Sequence, residues 1–308
     1  YTNLNTLSLH DALPIWLSQL LSYDRNVTRS PKSYNSQIGV PLSVWLLNES
    51  SQIGLIEAGI SKVGEMQALH DIILPTVGVL TSLGAAHQEN FSSLEEKCNE
   101  KLLLFKGTQA LVYQLDDKIA AKCITAAHYD GQLLAWSEHD TTAAFYVNSI
   151  EKHETTSTIN YIWQQTTQGS YTLPFIDDAS ISDSITCAVV ALHFGVQPDV
   201  LAQRMAVLEP VAMRLEVKEG QHGCTLINDS YNSDINSLDI ALDFMNRRPD
   251  QKRRERTLIL SDIYQSGETE QQLYADVAAL VKERGVKKFI GIGTALGRQQ
   301  QAFEGLET

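Results

Sequence analysis

Short apolar segments alternate with amphipathic segments along the chain from Ser51 onward. The runs IGLIEAG, TVGVLTSLG and ALVYQL have the length and the β-branched content of strands. The segments GEMQALHDII, SLEEKCNEKLLLF and DDKIAAKCITAA carry apolar residues at helical spacing. Strands that alternate with helices of this length are typical of βαβ units. The pattern predicts an α/β fold built on a mostly parallel sheet.

The pattern changes twice toward the carboxyl terminus. From Ala143 to Phe175, Thr, Tyr, Ile and Val recur in short polar-apolar alternation, with QGS as a turn, which predicts a small antiparallel section. Helical patterning then returns in SISDSITCAVVALHFGV and DVLAQRMAVL. After Pro210 a second series of strands and helices begins with CTLIND and SLDIALDFMNRR and ends with KKFIGIG. We therefore predict a separate sheet and a domain boundary near Val211.

The amino-terminal segment YTNLNTLSLHDALPI differs from the rest of the chain. It lacks the basic and apolar regions of a secretory signal, and it resembles the peptide obtained by translating a sequencing adapter. The alternative is a native, poorly ordered tail. We leave residues 1–15 out of the fold prediction and divide the remainder into a domain of residues 16–210 and a domain of residues 211–308.

Composition and charge narrow the classes of function. Hydrophobic residues make up 43% and charged residues 20% of the 308 positions, which is typical of globular domains. The 24 Lys and Arg against 37 Asp and Glu give a net charge of -13, which argues against a sequence-independent grip on nucleic acid. No apolar stretch reaches the length of about 20 residues that a membrane helix needs. The four cysteines are far apart, so we predict no disulfide framework, no zinc cluster and a cytoplasmic location.

Two side chains that can bind metal follow predicted strands. Glu57 comes directly after IGLI, and His87 follows VGVLTSLGAA. Because parallel strands end at the same edge of a sheet, both are expected at the edge where open α/β sheets bind ligands. A carboxylate is a preferred ligand of Mg²⁺. The sequence thus predicts a Mg²⁺ site here, with a solvated carboxylate and a capping or packing histidine as the alternatives.

Spacing assigns plainer roles to two other segments. Lys101 lies beside the apolar face formed by Leu94, Leu102 and Phe105, so spacing alone favours an exposed lysine whose methylenes cover apolar surface. NDSYNSD precedes a helix and is interpreted as its cap, or as a ligand-contacting loop. No G-x-x-x-x-G-K-[ST] phosphate loop occurs.

Five segments in order between Trp16 and Glu304 carry a family resemblance: YNSQIGVPLSVWLL, IEAGISKVGEM, SLGAAHQENFSSLEEKCNEKLLLFKG, MRLE and INDSYNSDINSLDIALDF. Together they resemble the Mur ligases, and within them the branch that joins D-alanyl-D-alanine to UDP-N-acetylmuramoyl-tripeptide, often in fusion with an alanine racemase. The resemblance implies a central ATP-binding domain, a Rossmann-like last domain, ATP and Mg²⁺ as cofactors, and a role in peptidoglycan synthesis.

The resemblance also assigns roles to individual residues. It implies Mg²⁺ ligands and catalytic groups, a substrate-binding residue and a set of nucleotide-binding residues. These are Glu57, His87 and a carbamylated Lys101 for the metal, with His87 and Lys101 also catalytic; Asn35 for the muramoyl substrate; and Asp183, Arg214, Asp229, Tyr231 and Asn232 for the nucleotide.

Several departures from the family pattern limit this assignment. The phosphate loop expected just before WLSQLLSY and the uridine-recognising domain upstream of it are missing, and the last domain stops before its final strands. Asp183 replaces an expected Asn near the adenine, and Ile235 stands where many members have Pro. We therefore expect this polypeptide alone to be inactive. The alternatives are a folylpolyglutamate synthetase-like ligase and a non-catalytic binding module.

Overall fold

A computed structural model describes residues 2–7, 12–31, 34–81, 83, 90–209, 216–230, 235–247, 255–263 and 269–307. The chain forms two compact units, Tyr1–Glu209 and Pro210–Thr308. Each unit encloses a hydrophobic core of its own.

The first unit combines one large sheet with helices. Its strands are β1 (Thr2–Leu7), β2 (Val27–Arg29), β3 (Ile53–Glu57), β4 (Val77–Leu80), β5 (Ala110–Gln114), β6 (Gln132–Ser137), β7 (Phe145–Lys152), β8 (Ser157–Trp163) and β9 (Thr167–Leu173). Its helices are α1 (Ala12–Leu21), α2 (Gly39–Trp45), α3 (Glu65–Ile73), α4 (Leu94–Leu103), α5 (Lys118–Ala126), α6 (Asp178–His193) and α7 (Pro198–Met205).

The nine strands form one sheet in the order β2-β3-β1-β4-β5-β6-β7-β8-β9. Neighbours from β2 to β7 are parallel, whereas β7, β8 and β9 pair antiparallel. The predicted parallel sheet and its antiparallel section are therefore confirmed. Parallel pairing brings the carboxyl ends of β3 and β4 to the same edge, as the site prediction requires.

The amino-terminal segment takes part in this fold, contrary to its omission from the sequence-based prediction. Residues Thr2–Leu7 pair with both β3 and β4, and α1 begins at Ala12 instead of near Trp16. Leu13, Leu17 and Leu20 are completely buried because their spacing places them on one face of α1. The adapter origin of residues 1–15 stays a prediction.

The packing of α4 against the sheet depends on a close contact in the core. Phe105, two residues past the end of α4, is buried, and its ring lies over Gly78 of β4. A Cβ atom at position 78 would lie 2.4 Å from Cδ1 of Phe105. Gly78 is therefore required for close approach of the ring, not for an unusual backbone conformation.

The second unit is described over shorter segments. It contains β10 (Glu216–Glu219), β11 (Thr225–Asn228), α8 (Ile235–Arg247), β12 (Thr257–Ser261), α9 (Glu270–Glu283), β13 (Lys288–Ile292) and α10 (Thr294–Arg298). β10 and β11 pair antiparallel, and β12 and β13 pair parallel. Asp262 is buried beyond β12 and accepts hydrogen bonds from the backbone N–H groups of Ala295 and Leu296. Those bonds lower the pKa of the Asp262 carboxyl and cap α10.

Within the described ranges, no helix has both the length and the apolar character needed to cross a bilayer.

Candidate active site

Two of the predicted site residues meet at the carboxyl end of β3. Glu57 is the last residue of this strand and only 2% exposed. The side-chain amide of Asn35 donates to Oε1 of Glu57 at 2.8 Å. The amide thereby orients the carboxylate, and the alternative of a solvated loop carboxylate is wrong for Glu57.

Backbone contacts hold this pair in place. The N–H of Gly59 donates to the carbonyl of Asn35 at 2.8 Å, and a Cβ atom at position 59 would lie 3.1 Å from Cγ of Asn35. The N–H of Glu57 donates to Oγ of the buried Ser30 at 3.1 Å. The sequence analysis did not identify Ser30 or Gly59, because their contacts join segments far apart in the chain and leave no local motif.

Lys101 is buried within the first unit. It lies in the last turn of α4 and is only 4% exposed, so the prediction from spacing of an exposed lysine is wrong. The helix begins at Ser93, whose side chain accepts from the N–H of Glu96. The inward face carries Lys97, Cys98 and Lys101, whereas Leu103 is partly exposed. The apolar residues alone therefore do not identify the buried face of α4.

The surroundings of Lys101 disfavour its ammonium form. Burial, and secondarily the positive charge of Lys97, lower the pKa of Lys101 to about 8 from its ordinary value of 10.5. Among the described residues, no carboxylate forms an ion pair with it. A larger share of Lys101 is therefore a neutral amine near neutral pH than for a solvated lysine, and a neutral amine can add to CO₂.

We expect the unmodified protein to become more stable as the pH rises from about 8 to 10.5. Over this range the unfolded lysine still binds a proton and the folded Lys101 does not, so raising the pH relieves the cost of burying the ammonium. Urea unfolding in bicarbonate-free buffer measures this slope. Lys101→Met should reduce it and the exposed-site variant Lys106→Met should keep it. Equal slopes in wild type and Lys101→Met would contradict the prediction.

A second acidic residue connects α4 to the segment that follows β3. The carboxylate of the buried Glu100 accepts from the N–H of Gly64 at 2.7 Å and from that of Met66 at 3.3 Å. It thus caps α3 and fixes one end of the loop that begins after Glu57. Sequence reasoning missed Glu100, since a glutamate in mid-helix gives no local sign of a distant cap.

The remaining predicted residues are not brought to this pair. Asp183 lies half-buried on α6, and Asp229 is half-buried beyond β11 in the second unit. The others lie outside the described residues: His87, Arg214, Tyr231 and Asn232. In the described part of the chain, no three His, Cys, Asp or Glu side chains group together as a metal site.

The donor set fits Mg²⁺ under one condition. A buried, oriented carboxylate such as Glu57 supplies the hard oxygen ligand that Mg²⁺ prefers. An ammonium at Lys101 would repel the cation, whereas a carbamate on the same nitrogen would attract it. The low solvation and lowered pKa of Lys101 are consistent with the carbamate.

Comparisons with known proteins agree on one family. A profile of the Mur ligase middle domain matches residues 11–191. The UDP-N-acetylmuramoyl-tripeptide--D-alanyl-D-alanine ligase of Bacillus subtilis (strain 168) is 23% identical over 285 residues, which cover 89% of this chain and 58% of the relative. The chain therefore spans little more than half the length of that relative.

Solved structures extend the similarity to the fold. A crystal structure of MurF from Acinetobacter baumannii matches with a TM-score of 0.82 and 18% identity, covering 99% of this chain and 66% of the other. MurF from Thermotoga maritima, in complex with ADP, matches with a TM-score of 0.75 and 18% identity, covering 95% and 70%. At these identities the likeness establishes the fold.

Proposed function

We propose that this chain, which belongs to the Mur ligase family, is part of an ATP-dependent ligase that joins D-alanyl-D-alanine to UDP-N-acetylmuramoyl-tripeptide in peptidoglycan precursor synthesis. The similarity to the Bacillus subtilis ligase of this name supports the choice of substrates. The observation that carries the proposal is the buried Glu57 carboxylate, oriented by Asn35 at the ligand-binding edge of the sheet.

The residues proposed for Mg²⁺ are Glu57, His87 and a carbamylated Lys101. Mg²⁺ bound there would offset negative charge on phosphoryl oxygens during transfer. Asn35 would keep the Glu57 carboxylate in one orientation through its 2.8 Å hydrogen bond. A fixed carboxylate needs no rearrangement when the cation binds, which favours catalysis by preorganisation.

The remaining assignments concern the substrates. Asn35, beside Glu57, is also proposed to lie near the muramoyl substrate. Asp183, Arg214, Asp229, Tyr231 and Asn232 are proposed to contact ATP. The ADP complex of the Thermotoga maritima protein supports nucleotide binding by this fold.

The proposed reaction has two chemical steps. The terminal carboxylate of the tripeptide attacks the γ-phosphorus of ATP, so that an acyl phosphate and ADP form. The amine of D-alanyl-D-alanine then attacks the acyl carbon and loses a proton, and the tetrahedral intermediate collapses to an amide and inorganic phosphate. The protein contributes mainly positioning, exclusion of water and electrostatic stabilisation.

We propose a cytoplasmic location, in keeping with four cysteines that are free thiols, three of them buried. A downstream alanine racemase domain stays a prediction from the sequence.

Phosphate release tests the proposed function in a polypeptide that spans the full length of the relatives. We expect release that requires ATP, Mg²⁺, UDP-N-acetylmuramoyl-tripeptide and D-alanyl-D-alanine together, with a product heavier by one dipeptide. Release with a folate and glutamate instead would favour the folylpolyglutamate synthetase alternative. ATP-independent binding of ligands without turnover would favour the non-catalytic module.

A further inference from the structure

Lys97 is among the most deeply buried side chains of the protein. It lies on α4 with 1% of its surface exposed, and its Nζ is 5.9 Å from the centroid of the Phe91 ring. Lysines are almost never fully buried unless a compensating group is present. The ligase reaction outlined above assigns no task to this residue, so its burial calls for a physical reason.

Helix geometry places Lys97 beside Lys101. Residues four apart lie on the same face of a helix, and both lysines are on the buried face of α4. The positive charge of Lys97 acts on Lys101. Two buried ammonium groups at this spacing repel each other. An anion on either nitrogen would turn the repulsion into attraction.

The acidic residues of α4 are engaged elsewhere. They are Glu95, which pairs with Lys122 at 3.6 Å; Glu96, which accepts from Ser92; and Glu100, which accepts from Gly64 and Met66. Asp117, which also acts on Lys101 electrostatically, caps α5 by accepting from Ile119 and Ala120. A negative charge on Lys101 itself is the change that would best complement Lys97.

We propose that Lys97 is a positioning residue that stabilises the carbamate on Lys101 by forming an ion pair with it. This inference rests on the proposed function, which assigns the carbamate. The neutral amine of Lys101 attacks the carbon of CO₂, a nitrogen–carbon bond forms, one C=O electron pair moves to oxygen, and the nitrogen releases a proton to solvent. The side chain becomes an –NH–COO⁻ group.

The electrostatic effect of Lys97 then favours each stage. Before the reaction, its positive charge disfavours protonation of Lys101 and so keeps the amine reactive toward CO₂. After the reaction, the same charge attracts the carbamate in a site where little water competes. A buried cation thus acts in favour of the modified state over the unmodified ammonium.

Carbamate occupancy measured by ¹³C NMR with ¹³C-labelled bicarbonate tests the role of Lys97 in the full chain. We expect Lys97→Met, which keeps the length of the side chain and removes its charge, to need at least about tenfold more bicarbonate for the same occupancy. Lys97→Arg should remain within a few fold of wild type because it restores the charge. Lys122→Met, at an exposed site on the neighbouring helix α5, should match wild type, and Lys101→Met should give no signal.

The outcomes separate the two levels of inference. Equal occupancy in wild type and Lys97→Met, with no signal from Lys101→Met, would overturn the role of Lys97 and leave the carbamate in place. No signal in wild type would overturn the carbamate and this inference with it, while dipeptide-dependent phosphate release would still report on the ligase assignment. Thermal unfolding of each variant identifies a loss of occupancy that follows from a loss of fold, and rescue by Lys97→Arg excludes a purely steric cause.

Discussion

Replacing Lys101 with alanine is expected to lower turnover by about 10²–10³-fold in a polypeptide that spans the full length of the relatives, a magnitude typical of removing one preorganised electrostatic group from an active site. The change removes the nitrogen that would carry the carbamate, and with it an anion beside the proposed cation site. Steady-state phosphate release at saturating ATP, tripeptide nucleotide and dipeptide measures the loss.

Short-chain carboxylic acids should restore part of this activity. Truncation of a buried lysine leaves a space that a small carboxylate can enter, and its charge replaces that of the carbamate. Lys106→Ala is the matched control, since Lys106 follows the same helix but is exposed, and it should neither lose activity nor respond to the acids. Turnover unchanged in Lys101→Ala would remove the carbamate assignment.

Replacing Phe105 with alanine is expected to cost about 3–5 kcal/mol of the free energy of unfolding of the first unit, as for other large aromatic side chains in a core. Phe105 is 1% exposed and belongs to the core formed by the helices packed on β3, β4 and β5. Urea unfolding followed by tryptophan fluorescence measures the change, because all four tryptophans lie in this unit.

The contact between Phe105 and Gly78 provides the complementary variant. Gly78→Ala should cost about 1–3 kcal/mol through overpacking, since the added Cβ would lie 2.4 Å from the ring. In a Phe105→Ala background the same substitution should cost much less, because neighbouring changes are not additive. Leu103→Ala, at a partly exposed position of α4, is the matched control and should change stability little. Additive effects of the two core substitutions would contradict the contact.

The fold could be predicted from the sequence because it depends on periodicity. The alternation of apolar runs with helical segments indicated β3, α3, β4, α4 and β5, and the polar-apolar alternation after Ala143 indicated the antiparallel β7, β8 and β9. Strands of low apolar content were missed. Val27–Arg29 is only three residues long, and Thr2–Leu7 is recognised as a strand only through its pairing with β3 and β4.

The candidate site was predicted less completely. The position of Glu57 at the end of a strand followed from the apolar run before it, and a parallel sheet then determined the edge at which it lies. Its partners did not follow in the same way. Asn35 and Ser30 reach Glu57 across more than twenty residues of chain, and hydrogen bonds between distant segments leave no periodic signal in the sequence.

The sequence by itself determined the α/β class, the antiparallel section and the strand end that carries Glu57, because backbone geometry converts residue spacing directly into faces and edges. Only the tertiary structure decided which polar groups lose contact with water. Local spacing placed Lys101 at the surface, and packing of α4 buried it together with Lys97. Burial depends on what covers a helix face, and the covering elements come from other parts of the chain. For the same reason, the charge state of Lys101 and its suitability for CO₂ follow from the folded protein and not from the helix alone.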